Sequence, residues 1–210
     1  GANIGNENTA VGKSALEDNT SGTGNVAVGH DALKDNTTAL ENTAIGVDCL
    51  RTNTTGAENV GVGAYALYTN NGDDNTAVGK SALYANTTGT YNTAVGRNAL
   101  ASNTTGVNNV AIGGLALDTA TTANYNVAVG VWVLSDNTTG SNNTGLGYNA
   151  LRACTTGGDN VAVGHECLDK STTADNNVAM GSYAASELLD GHSNTCLGYA
   201  AGFSLSTDGN

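Results

Sequence analysis

One nine-residue frame recurs along the whole chain and constrains the fold more than any other feature of the sequence. Residues 92–100 give a clear copy, NTAVGRNAL. The leading asparagines of the twelve copies are Asn8, Asn25, Asn42, Asn59, Asn75, Asn92, Asn109, Asn126, Asn143, Asn160, Asn177 and Asn194. Ten of the eleven steps are 17 residues long, and the step from Asn59 to Asn75 is 16. A fixed period of this kind indicates one supersecondary unit that stacks on itself.

We number the positions of a repeat from its leading asparagine, position 0, and number the repeats, or coils, from 1 at Asn8 to 12 at Asn194. Position +1 is Thr or Val, +2 is Ala, Gly or Cys, +3 is always aliphatic and +4 is always Gly. This alternation predicts a strand over 0 to +3, and the glycine predicts a turn after it. A second strand is expected over +7 to +10, followed by a turn at the Asn-Thr-Thr-Gly segment. The Ala-Leu segments are too short to hold as helices.

The predicted fold is therefore all-β, a parallel β-solenoid or β-roll of about twelve 17-residue coils. Leucine at +8 and the aliphatic residue at +3 are expected to form the core, and asparagines at 0 and +11 to pass amide hydrogen bonds from coil to coil. Asn92, Gly96 and Leu100 represent these structural positions. The one-residue deletion of the short repeat falls within residues 70–72, which places that segment at a turn, because a strand that loses one residue reverses its faces.

The domain prediction is a single repeat array over residues 1–210. It comprises a degenerate N-terminal coil at 1–7, regular repeats at 8–193 and an atypical last repeat at 194–210. The chain begins inside a degenerate motif and stops one residue before the next leading asparagine would fall. We therefore expect it to be a segment of a longer protein.

Aromatic and basic side chains are confined to positions +5, +6, +9, +10 and +16, which are predicted to face outward. One interpretation of these positions is a solvated surface that tolerates many residue types. The other is a contact surface, because exposed aromatic residues are enriched at interfaces. The first patch predicted for binding is Leu115, Val131 and Trp132, apolar residues at free positions. The further binding candidates are Tyr65, Tyr68, Tyr84 and Tyr148.

Composition and spacing argue against several classes of function. The net charge of −12 disfavours a nucleic-acid partner, which would need a basic surface. No run of 18 apolar residues occurs, so membrane insertion is not expected in this segment. His30 and His165 share position +5 but lie eight coils apart, and no carboxylate row recurs. We therefore predict no enzyme, no catalytic residues, no metal site and no cofactor.

The four cysteines are predicted to be structural. Cys49, Cys167 and Cys196 replace alanine at +7 or +2 and are interpreted as small apolar substitutes. Cys154 replaces asparagine at +11. Cys154 and Cys167 lie in adjacent coils, but their offset along the coil separates their Cα atoms by roughly 13 Å, too far for a disulfide.

The Asn-Thr-Ala-Val-Gly-x-x-Ala-Leu frame resembles the head repeats of trimeric autotransporter adhesins. With its Asn-Thr-Thr-Gly spacer it also resembles repeats of bacterial surface proteins and phage tail-fibre proteins. The resemblance covers all twelve repeats, although the 17-residue period is longer than that of typical adhesin heads. It implies a left-handed β-roll, three chains in each fibre, an extracellular location on a cell surface or virion fibre, and binding to a host-cell or surface glycan or protein.

A homotrimer is also predicted from position +2. If +1 and +3 point inward, +2 points outward, and a strictly small outward residue indicates a close neighbouring chain. The alternative is that +2 faces a tight space within its own coil. A rival function is ice binding by the Thr-Thr ladder at +12 and +13, as in solenoid antifreeze proteins. Turn chemistry offers another explanation for those threonines, whose hydroxyls can bond nearby backbone.

Overall fold

The computed structural model describes residues 5–203 and residue 205, and within them the chain is all-β with no helix. Residues 1–4 of the predicted degenerate coil lie outside the described residues, as do residues 204 and 206–210 of the predicted last repeat. The predicted parallel β-solenoid is confirmed. The described strands are β1 Thr9–Val11, β2 Val26–Val28, β3 Thr43–Ile45, β4 Val60–Val62, β5 Thr76–Val78, β6 Thr93–Val95, β7 Val110–Ile112, β8 Val127–Val129, β9 Thr144–Leu146, β10 Val161–Val163, β11 Val178–Met180 and β12 Thr195–Leu197.

The twelve described strands form one parallel sheet in which each strand pairs with the next along the chain. Equivalent residues of successive coils are partners, as with Thr93 and Val110. The short repeat keeps this register, since Val60 pairs with Thr76. Its missing residue is accommodated at the turn, where the Asn71 side-chain oxygen accepts a 2.8 Å hydrogen bond from the Thr54 amide. That oxygen replaces the backbone carbonyl that regular coils present there, as Thr54 does to Thr37.

The strands turn the opposite face inward from the one predicted. Ala94 at +2 is fully buried, whereas its neighbours Thr93 and Val95 are only partly buried, and a buried +2 residue recurs in every described strand except β1, whose three residues are exposed. The expectation that the aliphatic residue at +3 lies in the core was therefore wrong. The small residue at +2 faces a tight space within its own rod, so its size is not evidence for a neighbouring chain.

Position +2 is small because it packs against position +7 of the preceding coil. A Cβ atom added at Gly61 would lie 2.6 Å from Cys49 Sγ. One added at Gly145 would collide with a methyl group of Val133. Cys49 and Val133 are larger than the alanine common at +7, and glycine stands at +2 of the next coil in both cases. The interior thus keeps its volume by pairing a larger residue with a smaller one.

The second predicted strand, at +7 to +10, is absent from the described coils, where these residues form turns. Their backbone alternates in conformation, with φ of 57° at Asn98 and 51° at Leu100. The Asn98 amide donates to Lys80 in the preceding coil and the Leu100 amide donates to Ala116 in the following one. The coils therefore stay hydrogen-bonded without an extended strand. A left-handed leucine costs about 1–2 kcal/mol, which burial of its side chain offsets.

Leucine at +8 and asparagine at 0 form two internal columns. Leu100 is fully buried in the hydrophobic core. The Asn92 side chain is also buried, and its amide donates to Asn75 Oδ1 at 3.2 Å and to the Gly106 carbonyl at 2.8 Å. A bond from one asparagine to the side-chain oxygen of the preceding one links every pair of successive described coils, and between Asn143 and Asn126 the backbone amide is the donor. The predicted asparagine ladder at 0 is therefore confirmed.

The four cysteines are free and buried. Burial raises the pKa of the Cys49 and Cys154 thiols to about 12 and that of Cys167 to about 11. These thiols are therefore protonated at neutral pH and poor nucleophiles, which fits the predicted role as small apolar side chains. Within the described residues there is also no helix able to cross a lipid bilayer.

Candidate binding surfaces

Two depressions lie in line along the rod, between the side chains at +6 and those at +9 and +10. They occupy the same rows, one in coils 5 and 6 and the other in coils 7 to 9. Together they extend over four coil steps, about 19 Å at the spacing of parallel strands. We call this feature the lateral groove; the residues that line it are Ser81, Tyr84, Ala85, Asn98, Ala101, Ser102, Leu115, Asp118, Thr119, Trp132, Ser135, Asp136 and Arg152.

The depression in coils 7 to 9 combines an exposed indole with charged groups. It has a volume of about 230 Å³, and Trp132, which is 41% exposed, contributes to its wall beside Leu115. Asp118 and Asp136 supply carboxylates from adjacent coils, and Arg152 enters from the next. Burial, reinforced by the negative charge of Asp136, raises the pKa of the Asp118 carboxyl to about 6, against the effect of its own backbone amide.

The polar groups of this depression are held by the coil backbone and by one another. The Thr119 hydroxyl donates to the Ser135 carbonyl at 2.6 Å, and the Ser135 hydroxyl donates to Asp136 Oδ1 at 3.3 Å. The Arg152 guanidinium donates to Asp169 Oδ1 at 2.9 Å. The guanidinium thus has a carboxylate partner outside the depression.

The depression in coils 5 and 6 is bordered by an aromatic stack. It measures about 390 Å³ and is lined by Tyr84. The rings of Tyr68 and Tyr84 stack with centroids 5.2 Å apart, and Tyr65 lies 6.1 Å from Tyr68. The Arg51 guanidinium donates to the Tyr68 hydroxyl at 3.4 Å. This hydrogen bond holds the hydroxyl group of Tyr68, the central ring of the three.

Tyr148 belongs to a different aromatic row. It stacks on His165 with centroids 5.3 Å apart and planes inclined by 15°. His165 in turn contacts Tyr183, which contacts Tyr199. This row follows positions +5 and +6 in coils 9 to 12, outside the two depressions.

The structure brings some of the predicted binding residues together and separates others. Leu115 and Trp132 line one depression, and Tyr84 lines the other, with Tyr65 and Tyr68 stacked beside it. Val131 is exposed but does not line the groove, although it precedes Trp132 in sequence.

Sequence reasoning missed the charged residues of the groove, Asp118, Asp136 and Arg152. Positions +9 and +10 were recognised as variable and exposed. Paired carboxylates were nevertheless not expected, because no single repeat position is acidic throughout the chain. Asp118 at +9 and Asp136 at +10 interact across adjacent coils at different positions. A comparison of neighbouring rows, rather than of one row at a time, would have found them.

The residues chosen for structure lie away from the groove. Asn92 and Leu100 are buried as described, and Gly96 has a φ of 135°. A Cβ atom added to Gly96 would lie 2.5 Å from the Gly113 carbonyl oxygen, so the turn admits no side chain.

The outer face of the sheet is a second surface that sequence reasoning did not identify. The side chains at +1 are Thr or Val, and those at +3 are Val, Ile, Leu or Met. Several +3 residues are strongly exposed, as with Leu146 at 46%. We call these two rows the sheet strip. At the spacing of parallel strands it is about 53 Å long and about 10 Å wide, or ~500 Å², which matches the largest and often functional apolar patch of a typical monomer. Six of its twelve +1 residues are threonine, so the +3 row is its continuous apolar part.

One group of side chains has the composition of a cation site. His30, Asp31 and Asp48 could each offer a ligand atom, and these atoms lie within 4.8 Å of one another. The Arg51 guanidinium, however, lies 3.3 Å from Asp48 and 3.8 Å from Asp31. The cluster is therefore an ion-pair network whose acidic charge already has a cationic partner.

The threonine ladder at +12 is engaged within the rod. The Thr104 hydroxyl donates to the Thr121 carbonyl at 2.9 Å, and Thr121 does the same to Thr138 at 3.2 Å. Threonine at +13 is exposed, as at Thr105 and Thr122. Only one of the two threonine rows therefore presents unengaged hydroxyls to water.

No family model matches this chain, and no curated protein or solved structure is similar to it at a significant level.

Proposed function

We propose that the chain is a non-catalytic segment of an extracellular fibre, on a cell surface or a virion, which assembles as a homotrimer and binds surface molecules through its variable side chains. The observation that carries the proposal is the sheet strip. A rod that exposes a row of aliphatic +3 side chains on one face of its described sheet favours association with further copies through that face. The variable aromatic rows lie outside this strip and stay available to ligands.

Support for a binding role comes from where the sequence varies. Position 0 is always asparagine, +4 always glycine and +8 leucine in ten of twelve coils, whereas the groove rows range from Ser81 and Ala101 to Trp132. Exposed aromatic rings are costly to leave in water and are enriched at contact surfaces. The lateral groove therefore serves as the first place to look for a ligand, and host-cell or surface glycans and proteins are the ligand classes to screen.

Assembly is tested by light scattering on the whole chain. A homotrimer should have about three times the 20.9 kDa mass of one chain. Val95→Lys with Ile112→Lys places two charges in the sheet strip and should give a folded monomer. A stable, folded monomer of the unaltered chain would refute the trimer.

Surface binding is tested with a glycan and cell-surface screen. Leu115→Ser, Val131→Ser and Trp132→Ser together should reduce binding without unfolding the rod. The matched control changes three exposed apolar residues outside the groove, Leu40, Val47 and Leu189, to serine. Equal binding by both triple variants would exclude this patch.

Ice binding remains the alternative function, and a thermal-hysteresis assay discriminates it. The exposed row at +13 favours it, while the hydroxyl bonds at +12 and the interruption at Asn71 weigh against it. Strong hysteresis would place this alternative above the fibre.

A further inference from the structure

The depression in coils 7 to 9 carries more negative than positive charge. Asp118 and Asp136 line it, whereas its only lining cation, Arg152, is held 2.9 Å from Asp169. Among the described residues, no basic side chain forms an ion pair with Asp118 or Asp136. Arg152 interacts with Asp136 as well, but its hydrogen bond is made to Asp169. The two carboxylates of this partly buried site still repel one another, and a positive ligand would relieve that repulsion.

An aromatic ring stands beside these carboxylates. Trp132 is partly exposed in the same depression, and Leu115 adds an apolar contact next to it. The indole face attracts cations more strongly than any other side-chain ring, and an acidic neighbour adds to that attraction. A metal ion that keeps its hydration shell would gain little from the indole and leucine, whereas an organic cation, which is weakly hydrated, would contact both.

We propose that this depression is a binding site for a small organic ammonium group. The carboxylates of Asp118 and Asp136 balance its charge, Trp132 contacts its positive face, and Leu115 packs on its carbon atoms. The proposal rests on the proposed function, because it specifies a ligand class for the same groove. The ammonium could be carried by an amino sugar or by a choline headgroup, which share this chemistry.

The size of the depression suits one small group. Its volume of about 230 Å³ is below the range of ~300–1,000 Å³ that is usual for drug-sized ligands. One sugar ring or one headgroup fits such a space, with the rest of a larger molecule extending along the lateral groove toward Tyr84.

Proton binding should compete with the ligand. The pKa of Asp118 is raised to about 6, so its carboxyl becomes neutral as the pH falls below that value. The charged group that acts on it is Asp136, and Arg152, which lines the same depression, interacts with Asp169, Asp136 and Glu166. Ammonium affinity should therefore fall between pH 7 and pH 5, because one of the two balancing charges is lost.

Trp132 is the only tryptophan, so its fluorescence reports on this site alone. The titration uses the whole chain at pH 7 with tetramethylammonium chloride, glucosamine and N-acetylglucosamine, and with sodium chloride at matched ionic strength. The two ammonium compounds should give saturable changes, and N-acetylglucosamine and sodium chloride should not. Preference for glucosamine or tetramethylammonium identifies an amino sugar or a choline-type group as the source.

Asp118→Asn with Asp136→Asn should weaken ammonium binding by about tenfold or more, because both balancing charges are removed. Asp35→Asn, which removes a carboxylate at +10 in a distant coil, should leave it unchanged. Circular dichroism of each variant establishes that the rod is folded.

The proposal is overturned if no ammonium compound gives a saturable change, if N-acetylglucosamine binds equally well, or if the double variant binds like the unaltered chain. Each of these failures leaves the surface screen of the previous section untouched, since that screen asks only whether the groove binds any ligand. If the unaltered chain binds nothing in the glycan and cell-surface screen but binds ammonium compounds saturably, the proposed surface-binding role is refuted and the ammonium site stands.

Discussion

Two asparagine rows run through the same rod, and only one of them is continuous. At position 0 the asparagine is present in all twelve coils and hydrogen-bonds from Asn8 through to Asn194. At +11 the first six coils and coil 8 carry asparagine, whereas coils 7, 9, 10 and 11 carry Ala120, Cys154, Ser171 and Leu188. Both rows are buried and both make side-chain ladders, so burial alone does not explain why one varies and the other does not.

The difference lies in what each side chain does for the backbone. At position 0 the side-chain oxygen accepts a backbone amide of the next coil, as Asn109 Oδ1 accepts from Asn126 at 3.0 Å. At +11 the backbone amide bonds the +8 carbonyl whatever the side chain is, as for Asn103 to Leu100 and Cys154 to Leu151. The first asparagine satisfies a buried backbone group that has no other partner, whereas the second adds a bond between groups that are optional.

The largest effect is expected at position 0. Asn109→Ala removes the acceptor of the Asn126 amide and two donated bonds, to Asn92 at 3.1 Å and Ala123 at 2.8 Å. Because a buried amide is left without a partner, unfolding free energy should fall by about 4 kcal/mol. Urea unfolding followed by circular dichroism measures the loss, and hydrogen exchange at Asn126 should accelerate.

A smaller effect is expected for the matched change at +11. Asn86→Ala removes the bonds donated to Asn70 and Gly89 and the acceptor of the Asn103 side-chain amide, which keeps its bond to Gly106. It leaves the Asn86 backbone amide on the Leu83 carbonyl at 3.3 Å. We expect a loss of about 1.5 kcal/mol by the same urea measurement. If Asn86→Ala and Asn109→Ala lower the unfolding free energy equally, the position 0 row is no more important to stability than the +11 row, and the explanation by the buried backbone amide is wrong.

A gain is expected where the +11 row is interrupted. Asn103 Oδ1 is buried without a hydrogen-bond partner, because Ala120 stands in the place from which the next asparagine would donate. Ala120→Asn should restore the donor and stabilise the rod by about 1 kcal/mol. Ala120→Leu, of similar shape but without a donor, is the control. If the leucine variant gains as much, packing rather than the ladder is responsible.

The repeat made the solenoid predictable, because a period of 17 and a fixed glycine at +4 leave few other folds. It did not reveal which strand face turns inward. Large aliphatic residues are normally buried, yet here Val95 is outside and Ala94 inside. The coil is so narrow that leucine at +8 already fills it, and only a side chain as small as alanine fits opposite. The sequence showed that +2 is always small, but the reason, packing against side chains of the neighbouring coil, appears only in the structure.

The repeat positions that line the groove are variable in the sequence, but the sequence does not show which side chains meet there to form a site. Rows +6 and +9 were recognised as free, and Leu115, Trp132 and Tyr84 were chosen from them. Which side chains meet depends on the alternating left-handed conformations at +6 and +8, which direct Trp132 into the groove and leave Val131 outside it. The charged partners Asp118 and Asp136 belong to different rows of different coils, so a pattern read within one repeat does not join them.

The pairing of +7 with the following +2 has a consequence for how such an array can change length. Most coils could be lost or duplicated whole, since their neighbours present alanine to alanine. Coils 8 and 9 are different, because Val133 is fitted to Gly145, and Cys49 of coil 3 likewise contacts the space beside Gly61 of coil 4. The requirement is weaker for cysteine, since Cys167 lies against Ala179 in coils 10 and 11. A recombination that placed an ordinary coil after Val133 would bring an alanine methyl against it. Neighbouring coils with matched +7 and +2 residues are therefore expected to be gained or lost together, as pairs.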